Sequence, residues 1–497
     1  MEPRGVSGYV ASSRGLPRWG SCRRHRVVSA TLRRMLEELS RAVRDREASA
    51  EDLVRMSLER IEQLNPPINA VISVREQAID EARALDGRIA AGEDVGPLAG
   101  VPLLVKDMED VQGVPSTYGS TVFADAPPAT ADGLIPRRLR AAGAIVVGKT
   151  NQPEFAFAGY TDNLLYGATR NPWNVESSPG GSSGGSAAAM AAGMAPIATA
   201  TDGGGSIRIP AGCCGLVGLK PTNGVIGRDP IPEWIDLSTF GPLAQTVADA
   251  RLLLEIEAGP APGDPTALPY PFPMPGGMPA RAIAAPRLVD FGPLPEPVQT
   301  AFDAALGAFQ RDTGLPVDPI HPAEIFRAGN PSEDWLVLCA LEHVHHFGWE
   351  FCEANLERFS PVFRGVVEYA RKRPLDDYMA ARRRRFEYVR ELDLLLGDDA
   401  VLLTPTNCFQ TMTLDGVGDD ATGRPGEGPD SYNTDPQNMT GHPAISVPAS
   451  LMPEGMPFGL EITAPRFRDD MALSVAEAWE RTNPWPLVAP GYEPFTA

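Results

Sequence analysis

The sequence predicts an α/β layered fold, and three observations predict it. Short apolar runs bounded by Gly and Pro alternate along the chain with longer segments of helical periodicity. Of the 497 residues, 43% are hydrophobic, which suffices for a large core without staples. The 6 Cys are scattered, apart from the adjacent Cys213 and Cys214, and match neither a disulfide framework nor a zinc site. That usage fits a reduced, cytoplasmic protein.

Regular structure is expected from about Met35. "SAEDLVRMSLERIEQLN" opens on Ser49, a good N-cap, with Glu51 and Asp52 in the first turn. Leu53, Met56, Leu58, Ile61 and Leu64 draw a helical stripe, which Pro66 and Pro67 end. "AVISV" (70–74) reads as a strand, and "GVPLLVKDMEDV" (100–111) as a short buried strand whose end carries Lys106 and Asp107. A helix around 132–142 precedes another buried strand, "GAIVVGKTN" (143–151). "GLVGLKPTNGVI" (215–226) runs from strand to turn, and "TVADARLLLEIEAG" (246–259) is a helix ending at Gly259. Residues 259–279, crowded with Pro and Gly, read as an excursion or linker between two lobes.

"RAIAAPRLVD" (281–290) resumes as a strand, 295–314 is a helix, and helical patterns continue to about 396. Within them the Arg382–Arg385 run reads as a solvated face, with Asp376, Asp377, Glu387 and Glu391 as ready i,i+4 partners. "AVLLTPT" (400–406) is a buried strand, 415–430 a mobile Gly/Asp-rich loop, and a strand hairpin turns at Glu454–Gly455.

Net charge is -20, which argues against a nucleic-acid surface. The longest small-apolar run, 187–200, contains Gly193 and Pro196 and is too short to span a bilayer. Residues 1–34 hold eight Arg and one acid, Glu2. This basic extension reads as a disordered tail or as sequence upstream of a start at Met35; a transit-like leader is the third reading.

The chemistry concentrates in "SSPGGSSGGSAAAM" (177–190), which runs directly into an Ala-rich helix and so is not a linker. No GK[ST] closes it as a phosphate loop. Gly180–Gly184 matches G-x-S-x-G, but the loop-forming "RNPWNVESSP" stands where a nucleophile elbow needs a strand. His442 is the sole His of the last hundred residues, and His343, His345 and His346 read as packing on a helix.

A second cluster follows, "TDGGGSIRIPAGCCGLVGLKPT" (201–222). Together with "GVPLLVKD" upstream, the two clusters closely resemble the amidase signature family. Lys106 stands 76 residues before Ser182, and Ser206 stands 24 after it, which are the family's spacings. "TYGS" (117–120), "GKTNQPEF" (148–155) and "GATRNPWN" (167–174) are further matches. The resemblance runs from about residue 36 to the C-terminus and is strongest at 100–222.

The resemblance implies a large mixed central β-sheet covered by helices on both faces, in one catalytic domain over 35–497. It implies a Ser–Ser–Lys triad: Ser206 as nucleophile, Ser182 as bridging Ser after a cis peptide bond, and Lys106 as base. Gly203, Gly204 and Gly205, with the Ser206 N–H, match the oxyanion hole. Asp202 and Arg208 match a supporting ion pair, and Ser183 supports by hydrogen bonding. The family often has Thr or a branched residue where Gly203 stands. Cys213 and Cys214 read as core in a strand-like segment. Pocket walls are expected from about 225–240 and 330–440.

The implied activity is hydrolysis of linear amides, with esters and carbamates as plausible extra substrates, and without metal or cofactor. The expected partner is a small-molecule amide, not nucleic acid or membrane; a homodimer is left open. The alternative is the catalytic A subunit of a glutamyl-tRNA(Gln) amidotransferase. The acidic balance, the Pro-rich excursion and "DLSTFGP" (236–242) in place of that protein's "SLDQ" turn all disfavour it.

Overall fold

The computed structural model describes residues 34–268, 274, 276–419, 425–426 and 432–497. The basic extension, apart from Arg34, and most of the 415–430 loop lie outside the described residues. The strands are β1 (Val71–Val74), β2 (Pro102–Lys106), β3 (Ile145–Thr150), β4 (Ile197–Ala198), β5 (Thr201–Asp202), β6 (Val217–Lys220), β7 (Thr239–Phe240) and β8 (Leu243–Ala244). They continue with β9 (Arg281–Ala284), β10 (Val317–Pro319), β11 (Ala400–Pro405), β12 (Gly418–Asp419), β13 (Pro425–Gly426), β14 (Ala444–Leu451) and β15 (Pro457–Thr463).

The large sheet has seven strands in the order β10-β9-β11-β15-β14-β6-β8. It is mixed: β10, β9 and β11 run parallel, while the pairs from β11 through β15, β14 and β6 to β8 are antiparallel. A second sheet has four strands in the order β1-β3-β2-β4, and its edge strand β4 lies beside β8 of the large sheet. Every residue of β2, β3, β6, β11 and β15 is buried. A strand without an exposed residue is covered on both faces, and the Arg208–Cys214, Glu296–Thr313 and Asp469–Thr482 helices pack against β14 and β15.

Local signals held where the chain carried its own punctuation. Ser49 caps the Ala50–Leu64 helix in a full capping box with Asp52. Gly314 ends the Glu296–Thr313 helix in the left-handed conformation. The hairpin of β14 and β15 turns around Glu454–Gly455 as expected.

Three expectations change. Described residues 259–268 are an excursion pinned to the core: Gly259 N–H donates to the Val225 carbonyl, Leu268 N–H to that of Gly224, and buried Asp264 pairs with Arg228 at 3.1 Å. The Arg382–Arg385 run is not a solvated face. Arg382 and Arg385 bind Asp236, and Arg384 binds Asp334, because tertiary carboxylates outcompete the i,i+4 partners. Cys213 and Cys214 end a helix, not a strand, and burial pushes the Cys213 thiol up to about 12.

Candidate active site

Three segments converge. β2 is an apolar strand between β3 and β4, and its last residue, Lys106, carries its stem into the interior, where the side chain is 0% exposed. The Lys106 amine lies 2.7 Å from Ser182 Oγ, 3.0 Å from Ser183 Oγ and 2.8 Å from Thr201 Oγ1. Burial pulls its pKa down from 10.5 to about 7, against the opposing charges of Glu109 and Asp202. Adjacent Asp107 turns away and pairs with buried Lys149 at 3.2 Å.

The second segment is the turn before the Gly184–Ala191 helix. It contains a cis Gly181–Ser182 peptide bond and places Ser182 and Ser183, both fully buried, under the amine. No strand precedes Ser182, and His442 lies 3.2 Å from Asp393, so the elbow arrangement is absent. His343 packs in an aromatic cluster and accepts from Trp234 Nε1 at 2.8 Å, while His345 and His346 are exposed.

The third segment is the loop 203–207, which leads into the Arg208–Cys214 helix. Asp202 organises it: its carboxylate accepts from the N–H groups of Gly205 at 2.7 Å and Ile207 at 3.3 Å. Arg208, fully buried, grips the same carboxylate through Nε at 2.9 Å and Nη2 at 3.0 Å and reaches Glu461 at 3.0 Å. Burial works against the Asp202 charge, but Arg208 beside it holds the carboxyl below its usual range. The Gly203 carbonyl accepts from Trp335 Nε1 and the Gly204 carbonyl from Thr434 Oγ1, each at 2.7 Å. These bonds fix the peptide planes leading to Ser206, which is 7% exposed.

Gly203 now has a physical reason. A Cβ there would meet Trp234 Cε3 at 2.0 Å, so the indole fills the space a branched residue would take. Gly205 sits at φ +122°, and a Cβ there would meet Thr434 Oγ1 at 2.1 Å. Gly203→Ala is expected to lower thermal stability by about 1–3 kcal/mol through overpacking. In the Gly203→Ala/Trp234→Leu double variant the loss should be smaller than the sum of the two single losses, as thermal melts would show.

Ser206 borders two spaces. A narrow crevice also touches Ser182, Thr201 and Gly203. A cavity of about 380 Å³ extends to the other side, walled by Ala156–Tyr160, Trp234, Trp335 and Asp435. Of the four N–H groups matched to the oxyanion hole, that of Gly205 is engaged by Asp202. Thr201, Trp335, Asp435 and the 156–160 wall were not singled out from the sequence. Thr201 carried a signal as the first residue of the "TDGGGS" motif, and Trp335 and Asp435, like Trp234, fall within the expected wall ranges 225–240 and 330–440, whereas 156–160 lie outside both. Among the described residues no group of three or more His, Cys, Asp or Glu is placed to hold a metal, and no helix is long and apolar enough to cross a membrane.

The fold is that of hydrolases acting on carbon–nitrogen bonds. The Amidase family model matches residues 52–473, and the chain belongs to the amidase signature family. It is 34% identical to an acylamidase of Rhodococcus erythropolis, over 90% of this chain and 95% of that one. It is equally 34% identical to the A subunit of the glutamyl-tRNA(Gln) amidotransferase of Pseudomonas syringae pv. syringae (strain B728a), over 92% and 98%. Among solved structures it is similar to a bacterial aryl acylamidase, with TM-score 0.82, 28% identity and coverage of 92% of this chain and 98% of that one.

Proposed function

We propose that this chain is an amidase that hydrolyses linear carboxylic amides through an acyl-enzyme, with esters and carbamates as further substrates. The observation that carries the reading is the buried Lys106 amine, 2.7 Å from Ser182 and tuned to about 7. Hydrogen-bond accounting supports it. Ser183 Oγ donates to the Thr201 carbonyl and Thr201 Oγ1 donates to Met108 Sδ, so both hydroxyls accept from Lys106. A neutral amine has two N–H donors and one lone pair. The donors go to Ser183 and Thr201, and the lone pair is left for the Ser182 proton.

The chemistry follows from that arrangement. Ser206 attacks the amide carbonyl as its proton passes to Ser182, whose own proton passes to Lys106. The oxygen that gains charge is met by the N–H groups of Gly203, Gly204 and Ser206. The protonated Lys106 returns a proton through Ser182 to the leaving amine, and the C–N bond breaks. Water then attacks the acyl ester by the same relay and releases the carboxylic acid and Ser206.

Glu109 tunes the base. Burial pushes its carboxyl up to about 7, and its charge raises the Lys106 pKa. Glu109→Gln should therefore move the acidic limb of the pH–rate profile to lower pH; a limb that stays or rises removes Glu109 from this role.

The amidotransferase reading is comparably supported, by the equal identity to such a protein and by the likeness to a solved A subunit of Thermotoga maritima, at 29% identity and TM-score 0.71. The test is a substrate panel on the purified chain. Acyl anilides, aliphatic amides, esters and carbamates should turn over without any partner, and glutamine should not. Release of ammonia from glutamine, with inert anilides, would favour the amidotransferase reading.

A further inference from the structure

The cavity of about 380 Å³ beside Ser206 has one-sided chemistry. Its rings include Phe157, Trp234 and Trp335. Both indole N–H groups are already used, by His343 Nδ1 at 2.8 Å and by the Gly203 carbonyl at 2.7 Å. These indoles therefore offer apolar ring surface to an occupant and no donors. The charged side chains in the wall are two carboxylates, Asp415 and Asp435, and no Lys, Arg or His lines it among the described residues.

Asp415 is exposed, but Asp435 is 5% exposed; the Ser332 hydroxyl, in the same wall, acts on its carboxyl, while its Oδ2 has no hydrogen-bond partner. A buried carboxylate oxygen without a partner is costly and calls for a donor. Arg208, the cation that acts on Asp435, has its guanidinium already bonded to Asp202, Glu461, Gln437, Asn438 and the Thr434 carbonyl.

We infer, on the amidase reading above, that Asp435 is a specificity-determining residue, and that the cavity takes amides whose apolar acyl or amine group carries an ammonium or N–H donor. The donor meets the Asp435 carboxylate, and the rings of Trp234 and Trp335 flank the cation. Ionisation is compatible with turnover. Burial pushes the Asp435 carboxyl up to about 6, against Ser332, its own backbone and Arg208, so it is charged where Lys106 is neutral. An alkyl ammonium also keeps its proton there, up to about pH 10.

The test compares kcat/KM within two pairs of anilides. In the first pair the acyl chain ends in ammonium or in methyl; in the second the same exchange is made on the aniline side. Wild type should favour the ammonium member of at least one pair by about tenfold or more, the size of one charge-assisted hydrogen bond. Asp435→Asn should bring that ratio within about threefold of one. Because the ratio is taken within each enzyme, a loss of folded protein cancels. A wild-type ratio at or below one in both pairs, or a ratio that Asp435→Asn leaves intact, overturns the inference.

A binding measurement separates this from the amidase reading. A phenylalkyl ammonium and its hydroxyl isostere are titrated against the tryptophan fluorescence of Ser206→Ala. The ammonium should bind about tenfold tighter, and equal binding overturns the inference. Selective ammonium binding without hydrolysis of any anilide would sustain the recognition by Asp435 and remove the amidase reading.

Discussion

Ser206→Ala is expected to lower kcat/KM on an acyl anilide by about 10⁴-fold or more, the range in which removal of a serine nucleophile falls. The reason is chemical rather than structural. The loop is held by Asp202 on Gly205 and Ile207, Trp335 on Gly203, and Thr434 on Gly204, and none of these bonds uses the Ser206 hydroxyl. The variant should therefore melt within about 1 kcal/mol of wild type, like other small changes off the packing and hydrogen-bond network. Ser182→Ala should fall by a similar factor, because members of one relay act as a unit and their losses do not add. Steady-state rates and thermal melts on the same preparations check both halves. A Ser206→Ala enzyme that keeps more than a few per cent of the rate would place the nucleophile elsewhere.

The parts of the site legible in the sequence were those whose chemistry is written locally. A buried strand that ends in Lys106 needs only "VPLLVK" to be seen, and two Ser/Gly turns at fixed spacing need only their motifs. The cavity is different in kind. Its wall takes Phe157, Trp234, Trp335 and Asp435 from segments far apart in the chain; the last three fall within the expected 225–240 and 330–440, but Phe157 does not, and single-sequence periodicity carries no information about which residues meet. The same limit explains Arg382 and Arg385. Their i,i+4 carboxylates were visible, whereas Asp236, about 150 residues upstream, was not. Gly203 was legible as a departure from the family pattern, but its cause was not, because the indole that fills its space belongs to Trp234 on another loop.

The alternation rule also had a visible reach. Asp107 does turn away from Lys106, as alternation along a strand suggests, although it is the first residue past the end of β2. What receives Asp107, the buried Lys149 at 3.2 Å, belongs to the paired strand β3 and needed the register of β2 against β3. Of the two acids that raise the Lys106 pKa, Glu109 lies three residues on, in the turn past the strand end, and Asp202 comes from a distant segment, so period-2 reasoning reaches neither.

The pH profile is expected to rise with pH through about 7 and then stay flat, and Lys106 is the reason. Only a neutral amine offers a lone pair to the Ser182 proton; the ammonium has none. Burial disfavours the charged form and brings the pKa from 10.5 to about 7, so below that value the competent fraction falls about tenfold per pH unit. Above it nothing further is gained, and the rate stays level. Glu109, also pushed to about 7, titrates in the same window, so the limb belongs to the coupled pair rather than to one group. Lys106→Ala should lose amide hydrolysis by about 10³-fold or more, in the range of a lost base in a serine triad. It should lose less on an activated ester, whose leaving group needs little protonation. Arginine at 106 should not rescue it, because guanidinium keeps its proton at any working pH. The measurement is kcat/KM against pH for wild type, Lys106→Ala and Lys106→Arg on a matched amide and ester. An acidic limb that persists in Lys106→Ala at undiminished rate would assign the base to another group.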